Sequence, residues 1–224
     1  MVLLVLYFFI INMNLPEDYK KGNKDFLGAK IDLRKRPFIP REETSYWVSL
    51  AIEEIKKDSV CLDLFSGSGC IGLAILKNID NSYCDFGEKE NLFLEQIKIN
   101  LELNKIDNYR YSLIKTDIFS NINKKYDFIL ANPPYVALNR INEVGDDVKE
   151  FEPHIALFSG FDGLEIIKDF LSKAMLFLKD KGVIFMEFDE KQLKDIEKII
   201  KNNYSKYEFF KDQFDKYRFI RIEK

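Results

Sequence analysis

Residues 59–76, SVCLDLFSGSGCIGLAIL, join an apolar β-rich run to a helical run through a turn that contains two glycines. The aliphatic residues at 59–65 predict a buried strand, and the apolar spacing after the turn predicts a helix. Gly67 and Gly69 permit tight backbone conformations and let a ligand approach the main chain closely. The stretch therefore predicts a strand–turn–helix unit with a ligand-binding turn at the carboxyl end of the strand.

Strand and helix patterns alternate along the rest of the chain. The other predicted strands are SYCDFGE (82–88), RYSLIKT (110–116), YDFILAN (126–132), GVIFMEF (182–188), YEFFKD (207–212) and YRFIRIE (217–223). Helical spacing separates them in CIGLAILKNI (70–79), ENLFLEQIKINLELN (90–104), roughly 163–178 and EKQLKDIEKIIKNN (190–203). This alternation predicts an α/β, Rossmann-like fold with a seven-stranded, mostly parallel sheet and helices on both faces. The short link before the last strand predicts an antiparallel edge strand.

Three segments differ in composition. Residues 1–25 form an apolar N-terminal extension, residues 26–57 predict a β-hairpin followed by a helix, and residues 58–224 form the main domain. The first segment opens with MVLLVLYFFIINMN, which is shorter than the ~20 residues that span a bilayer, so membrane association is disfavoured. Two interpretations stay open for it: a strand or helix packed on the core, or a non-native extension with initiation at Met13. Residues 136–160 lack a strong period and predict a mobile loop over the site.

Charge and cysteine content exclude several classes of function. The 34 basic and 37 acidic residues give a net charge of −3, which provides no overall attraction to a phosphate backbone. Nucleic acid is therefore disfavoured as a direct substrate. Cys61, Cys70 and Cys84 lack metal-ligand spacing and His154 is the single histidine, so we expect no metal, disulfide or Ser-His-Asp triad. A reducing, cytoplasmic location is predicted.

Acidic residues follow three successive predicted strands. Asp63 ends the first, Glu88 ends the second, and Asp117 follows the third, with Phe119 close behind it. The carboxyl ends of parallel strands meet at one crevice, where Glu88 can accept both ribose hydroxyls and Asp117 an adenine amino group. An adenosine-containing ligand is predicted; NAD is the rival, although a full G-x-G-x-x-G is absent. Each residue also has a purely structural interpretation, as a turn or helix-terminal acid.

The turn Asn132-Pro133-Pro134-Tyr135 follows the fourth strand, beside the same crevice. The two prolines have no N–H and restrict φ, which fixes the turn and leaves carbonyl groups available. The Asn132 side-chain oxygen and the Pro133 carbonyl can each accept one hydrogen of a planar NH2 group, while Tyr135 covers its flat face. Held about 3 Å apart, such a nitrogen and a sulfonium methyl group can react without a strong base. The alternative interpretation of this turn is purely structural: a loop that ends the strand.

Further motifs extend the pattern beyond the glycine turn and N-P-P-Y. FIPREET (38–44) resembles I-P-R-x-[DE]-T, EPHIALFSGFDGLE (152–165) resembles E-P-x-x-A-L-x-x-G-x-D-G-L, and MEFDEKQ (186–192) resembles E-I-G-x-x-Q, with Glu187 and Gln192 in place. In this combination the chain, over about residues 26–222, resembles the S-adenosylmethionine-dependent protein-glutamine N5-methyltransferases that modify peptide-chain release factors, the HemK/PrmC group.

The resemblance implies a class I methyltransferase fold and transfer of a methyl group from S-adenosyl-L-methionine to the glutamine of a Gly-Gly-Gln loop in a release factor. We also expect a monomer that binds no metal. In this family Asn132 and Pro133 would bind the glutamine amide, and Pro134 and Tyr135 would line its pocket. Arg41 and Thr44 would form part of the active-site wall. The residues implied to bind the cofactor are Asp63, Phe65, Gly67, Gly69, Glu88, Asp117, Phe119 and Asn132.

Two features depart from this family. Phe65 occupies the first glycine position of its D-x-G-x-G-x-G turn, which predicts a change in cofactor affinity or a repacked turn. The family usually carries a helical N-terminal domain that grips the release factor, whereas 25 residues precede Phe26 here. We therefore expect the grip on the factor to be weaker or to use another surface.

Two other functions remain in competition. One is N-methylation of exocyclic amino groups of RNA or DNA bases, which a basic groove around Arg34, Lys35, Arg36 and Arg140 would favour. The other is a non-catalytic binding module that keeps the methyltransferase fold as a scaffold. Phe65 favours the second weakly, and the intact N-P-P-Y turn opposes it.

Overall fold

A computed structural model describes residues 15–201 and 203–224. The apolar run at 1–14 lies outside the described residues, so both interpretations of it stay predictions. No helix in the described part of the chain is long and apolar enough to cross a membrane.

The described chain alternates strands and helices in the predicted order. The strands are β1 (Asn23–Phe26), β2 (Ala29–Asp32), β3 (Val60–Leu64), β4 (Tyr83–Glu88), β5 (Tyr111–Lys115), β6 (Tyr126–Ala131), β7 (Leu178–Glu187), β8 (Lys206–Lys211) and β9 (Tyr217–Glu223). The α-helices are α1 (Glu17–Lys21), α2 (Glu42–Glu54), α3 (Cys70–Asn78), α4 (Asn91–Leu103), α5 (Asp146–Phe151), α6 (Glu165–Lys173) and α7 (Leu193–Ile200).

Seven strands form one sheet in the order β5-β4-β3-β6-β7-β9-β8, which confirms the predicted α/β class. The first five strands in that order are parallel to one another, and β9 pairs antiparallel with both β7 and β8. The reversed strand β9 therefore lies one place in from the edge. β1 and β2 form the predicted hairpin as a separate two-stranded sheet.

The sheet separates two apolar cores. Val183 and Phe185 of β7 belong to the core on one face, whereas Ile184 and Met186 belong to the core on the other. Residues of α2, α3 and α4 contribute to the first core, and residues of α6 and α7 contribute to the second. Because successive strand residues point to opposite faces, a continuous apolar run such as residues 182–186 of β7 is the expected solution for a sheet covered on both sides.

Three local features differ from the sequence predictions. The helix predicted over 163–178 begins at Glu165, because Gly163 adopts a left-handed φ of 76°, and it gives way to a 3₁₀ helix at Ala174–Phe177. The segment 136–160 contains short helices, at Leu138–Glu143, Asp146–Phe151 and His154–Ala156. A short helix, α1, and the start of β1 precede residue 26, so the hairpin begins earlier than predicted. The division of the chain into three segments stays a prediction.

A row of amide side chains ties the hairpin to the main domain. Gln96, Asn100 and Asn104 are spaced by one helical turn along α4 and at its C-terminal end. Their side-chain oxygens accept from the backbone N–H groups of Lys35, Asp32 and Lys30 at 3.0, 2.7 and 2.9 Å. Asn100 Nδ2 also donates to the carbonyl of Ser68, in the glycine turn, at 2.9 Å. The backbone of the hairpin is thus satisfied by side chains of a helix rather than by another strand.

Replacing Asn100 with alanine should lower the free energy of unfolding by about 2–3 kcal/mol, because buried backbone groups of β2 and the glycine turn lose their partners. Urea unfolding followed by circular dichroism measures the change. Asn104→Ala is the matched control, since Asn104 makes similar bonds in a more exposed place; a loss of about 1 kcal/mol or less is expected there. Equal losses of unfolding free energy in the two variants would contradict a special role for the buried bonds of Asn100.

Candidate active site

A cavity lies at the carboxyl edge of the sheet, where the turn after β3, the end of β4, and the segments after β5 and β6 meet. The predicted site residues Phe65, Gly67, Glu88, Asp117, Thr44 and the whole Asn132–Tyr135 turn line this cavity. Four other predicted site residues do not line it: Asp63, Gly69, Phe119 and Arg41. The first group forms the cavity surface, and the second supports it from behind.

Asp63 and Gly69 support the glycine turn without facing the cavity. Asp63 is fully buried, and its Oδ2 accepts from the N–H of Gly72 in the first turn of α3 at 2.9 Å. Its Oδ1 has no partner among the described residues, and burial raises the pKa of this carboxyl well above its ordinary value. Gly69 has φ 78°, and a Cβ there would approach Ile97 on α4 to 3.1 Å. These two residues therefore fix the turn and the start of α3, and direct cofactor contact stays a prediction for them.

Glu88 is held at the cavity surface by backbone N–H groups. Its Oε2 accepts from Gly67 at 2.8 Å, and its Oε1 accepts from Lys89 and Glu90 at 2.8 and 2.9 Å. Burial is the main cause of a raised pKa for this carboxyl, partly offset by the three bonds. Each carboxylate oxygen has about two lone-pair sites, and Oε1 uses both, so Glu88 keeps one site, on Oε2, for a hydroxyl group of a ligand rather than for both ribose hydroxyls.

The segment after β5 differs from the sequence prediction in one residue. Asp117 lines the cavity mouth, where its carboxylate pairs with Lys89 Nζ at 2.8 Å. Phe119, predicted to contact a ligand ring, points into the core instead and stacks on Phe177 with ring centroids 4.4 Å apart. Ile118, with φ 51°, provides the apolar cavity surface at this point. The tight turn reverses the direction of successive side chains, and sequence spacing gave no sign of it.

The orientation of the Asn132 amide follows from its neighbours. Asn132 Nδ2 donates to Thr44 Oγ1 at 3.4 Å, and Thr44 Oγ1 donates to Glu187 Oε2 at 2.7 Å. No described residue donates to Asn132 Oδ1 or to the Pro133 carbonyl. These two acceptors therefore have no partner among the described residues and belong to residues that line the cavity, and their binding of an NH2 group stays a prediction.

Tyr135 is held at both ends of the residue. Its hydroxyl donates to Glu187 Oε1 at 3.0 Å, and its carbonyl accepts from Gln192 Nε2 at 2.9 Å. Burial raises the pKa of the Tyr135 hydroxyl well above its ordinary value, so it stays a donor. Gly163 passes so close that an added Cβ would lie 2.3 Å from the Tyr135 carbonyl oxygen. Glycine is required there because any side chain would displace the N-P-P-Y turn.

Arg41 braces the wall of the cavity. Its guanidinium pairs with Glu152, which is 4% exposed, and lies 4.6 Å from the ring centroid of Phe38. Glu152 also accepts from the Ile39 N–H at 3.1 Å. Phe38 lines the cavity, so Arg41 fixes a wall residue and joins the segment at 38–44 to the segment at 152–157.

The cavity chemistry suits binding and orientation rather than nucleophilic attack by the protein. Cys70 lines the cavity, but burial raises the pKa of its thiol to about 12, so it is not a thiolate near neutral pH. His154 lies outside the cavity lining and hydrogen-bonds to the Lys149 carbonyl. What remains is a pair of unpartnered acceptors, in residues that line the cavity beside buried carboxylates, which can orient an NH2 group.

Sequence reasoning gave no role to several residues that shape this site. They are Ile118, Glu152, Gly163, Glu187 and Gln192. All but Ile118 lie in the motifs at 152–165 and 186–192, so the motif match was an available signal for them. The signal could not reveal their contacts, because their partners lie far away along the chain.

Comparison with known sequences gives consistent matches. A family model described as "Methyltransferase small domain" matches residues 48–147. The release factor glutamine methyltransferase of Streptococcus pneumoniae is 33% identical over 211 residues, which cover 93% of this chain and 75% of that protein. The enzyme with the same name from Lactococcus lactis is 29% identical over 216 residues, covering 95% of this chain and 79% of the relative.

Solved structures share the fold at low sequence identity. The ribosomal protein L11 methylase of Lactobacillus delbrueckii aligns with a TM-score of 0.61 at 20% identity, covering 86% of this chain and 82% of that one. The Thermus thermophilus 16S rRNA N2 G1207 methyltransferase, solved with AdoMet and guanosine, aligns with a TM-score of 0.65 at 16% identity. The alignment covers 90% of this chain and 49% of that one. These likenesses establish the class I methyltransferase fold.

Phe65 allows a direct test of backbone strain in the cavity turn. It has φ 62°, in the left-handed region that favours glycine, and its ring lies 6.1 Å from that of Phe170. Phe65→Ala loses the ring contact and keeps the strain, whereas Phe65→Gly loses the contact and relieves it. We expect the glycine variant to be the more stable of the two by about 1 kcal/mol, the reverse of the usual order. Thermal unfolding measures the difference; an alanine variant as stable as the glycine variant would refute strain at this position.

Proposed function

Because the chain belongs to the release factor glutamine methyltransferase family, we propose that it methylates the side-chain amide nitrogen, N5, of the glutamine in the Gly-Gly-Gln motif of a peptide-chain release factor. The protein is an S-adenosylmethionine-dependent methyltransferase, as its relatives and its fold establish. The Gly-Gly-Gln substrate, the monomeric state and the cytosolic location are parts of the proposal.

The observation that carries the proposal is the pair of acceptors in the N-P-P-Y turn. Asn132 Oδ1 and the Pro133 carbonyl accept no hydrogen bond from any described residue and belong to residues that line the cavity. A glutamine side chain offers two N–H donors in one plane, which matches two acceptors and leaves the nitrogen face open. Methylation of that nitrogen requires such an orientation, because the lone pair of an amide nitrogen is delocalised and weakly nucleophilic.

The residues beside the turn fit S-adenosylmethionine. Glu88 can accept a ribose hydroxyl at Oε2, Asp117 and Ile118 line the cavity and can contact the adenine, and Gly67 exposes backbone, since an added Cβ there would meet only Phe65 O, at 3.9 Å. When bound, the cofactor supplies a methyl group on a positively charged sulfur. Buried carboxylates nearby favour a cation, and the chain contributes orientation and exclusion of water rather than a general base.

The charges of the structure weigh against a nucleic-acid substrate. Three of the four basic residues that could form a groove are paired: Arg34 with Asp32 at 2.5 Å, Lys35 with Glu95 at 2.7 Å, and Arg140 with Asp189 at 2.9 Å. Paired cations attract phosphate groups less strongly than free ones do. A protein glutamine is therefore the better candidate than an exocyclic base amine.

The proposed activity predicts one added methyl group on the Gly-Gly-Gln glutamine of a purified release factor incubated with the protein and S-adenosylmethionine. Asn132→Ala removes one acceptor and should lower the rate by about 100-fold or more, since orientation supplies much of the rate enhancement. Peptide mass spectrometry locates the methyl group and times its appearance.

Asn139→Ala is the matched control for that experiment, because Asn139 is exposed and lies outside the cavity. It should methylate at the wild-type rate. Cofactor binding without methylation of the release factor would reject this substrate. Failure to bind S-adenosylmethionine would instead favour the non-catalytic binding module.

The raised pKa of Glu88 predicts a pH-dependent cofactor affinity. The ionised carboxylate accepts hydroxyl groups more strongly than the protonated form does. Affinity for S-adenosylmethionine should therefore rise as the pH increases through the raised pKa of Glu88, and Glu88→Gln should weaken binding and flatten this dependence. Titration calorimetry across the acidic range measures both effects. Glu95→Gln, on the exposed side of α4, should retain the wild-type profile; a Glu88→Gln profile identical to wild type would contradict the assignment.

A further inference from the structure

We propose that Glu187 is a positioning residue that sets which end of the Asn132 amide faces the substrate, acting through Thr44, and that also anchors Tyr135. The inference rests on the proposed function for its catalytic consequence. The hydrogen-bond chain itself is a property of the structure and can be tested apart from any substrate.

Glu187 has an unusual environment for a carboxylate. It ends β7, is 1% exposed, and accepts from three neutral side-chain donors. Thr44 Oγ1 and Trp47 Nε1, both on α2, donate to Oε2 at 2.7 Å each, and Tyr135 donates to Oε1 at 3.0 Å. A buried charge is costly, and here it is stabilised by donors from two separate segments that border the cavity.

The direction of the chain follows from counting protons. Thr44 has one hydroxyl proton, and Glu187 Oε2 also takes the donor-only Trp47 N–H and so can only accept, which commits that proton to Glu187. Thr44 Oγ1 can then only accept from Asn132, which requires the Nδ2 end of the amide to face Thr44. The Oδ1 end is left for the substrate, which is the orientation that an incoming NH2 group needs.

Loss of the Glu187 carboxylate removes this preference for one orientation of the Asn132 amide. With an apolar residue at position 187, the Thr44 hydroxyl is free to donate to Asn132 Oδ1. The Asn132 amide can then turn over and present its own NH2 group to the NH2 group of the substrate, donor against donor. The Tyr135 hydroxyl loses its acceptor at the same time.

Trp47 provides a matched control for variants at Glu187 and Thr44. Glu187→Leu and Thr44→Val each break the chain with little change of volume. Trp47→Phe removes a donor to the same carboxylate but leaves the Thr44–Asn132 contact in place, so it reports the cost of disturbing the buried carboxylate alone. All three variants are compared for thermal stability, S-adenosylmethionine affinity, and kcat and KM on the release factor.

The expected pattern separates positioning from stability. Glu187→Leu and Thr44→Val should lower kcat by about tenfold or more, with KM for the release factor and cofactor affinity nearly unchanged. Together they should cost little more than either alone, because both break one chain. Trp47→Phe should lose stability and keep kcat. A wild-type kcat for Glu187→Leu, or a Trp47→Phe loss of kcat as large as that of Glu187→Leu, would overturn the proposal.

Glu187→Gln gives a second, finer distinction. Trp47 Nε1 can only donate, so the glutamine must place its oxygen toward Trp47 and Thr44 and its NH2 group toward Tyr135. The chain to Asn132 then survives and the Tyr135 bond must reverse. Glu187→Gln should therefore keep more activity than Glu187→Leu, and equal loss in the two variants would contradict the direction of the chain.

A readout without substrate distinguishes failure of this proposal from failure of the proposed function. In ¹⁵N-labelled protein with S-adenosylmethionine, the Asn132 side-chain NH2 resonances, assigned by their loss in Asn132→Asp, should shift in Glu187→Leu and Thr44→Val and stay in place in Trp47→Phe. Resonances unmoved in Glu187→Leu would reject the positioning role whatever the substrate. Shifted resonances in a protein whose wild type does not methylate the release factor would reject the substrate and keep the positioning role.

Discussion

Parallel pairing of the central strands places the centre of the site at one edge of the sheet. Leu64 of β3 lies opposite Gly87 of β4 and Ala131 of β6, and Ala131 lies opposite Met186 of β7. The next residues along these strands are those that build the site: the glycine turn, Glu88, Asn132 and Glu187. Because parallel strands in register end together, four segments far apart in sequence meet without any long loop having to close over the site.

The residues around the cavity divide into those that face it and those that fix them. Glu88 and Asn132 line the cavity, while Asp63, Arg41 and Gln192 hold lining segments in place from behind. This support matters for the proposed amide methylation, because orientation replaces a strong base and errors in position reduce the rate. The supporting contacts bring together the segments at 38–44, 132–135, 152–165 and 186–192, so the separate motifs work as one structural unit.

Buried carboxylates give the site its electrostatic character. Burial raises the pKa of Asp63, Glu88 and Glu187, and each accepts hydrogen bonds from neutral backbone or side-chain donors. A folded-state pKa above the unfolded value means that these groups lower stability as the pH rises through the folded-state pKa. The protein retains this cost beside the cavity proposed to bind the positively charged sulfur of the cofactor, which is consistent with function rather than stability having set their positions.

The sequence by itself determined the fold class, the strand order along the chain and the main cavity residues, because a buried parallel strand, a glycine turn and an N-P-P-Y turn each have a local physical signature. It did not determine that Phe119 faces the core while Ile118 faces the cavity, because a residue with positive φ reverses the direction of neighbouring side chains. Nor did it determine that Glu187 directs Asn132 through Thr44. Those three residues lie on different elements, and a hydrogen-bond chain among them exists only once α2, the turn and β7 are packed together.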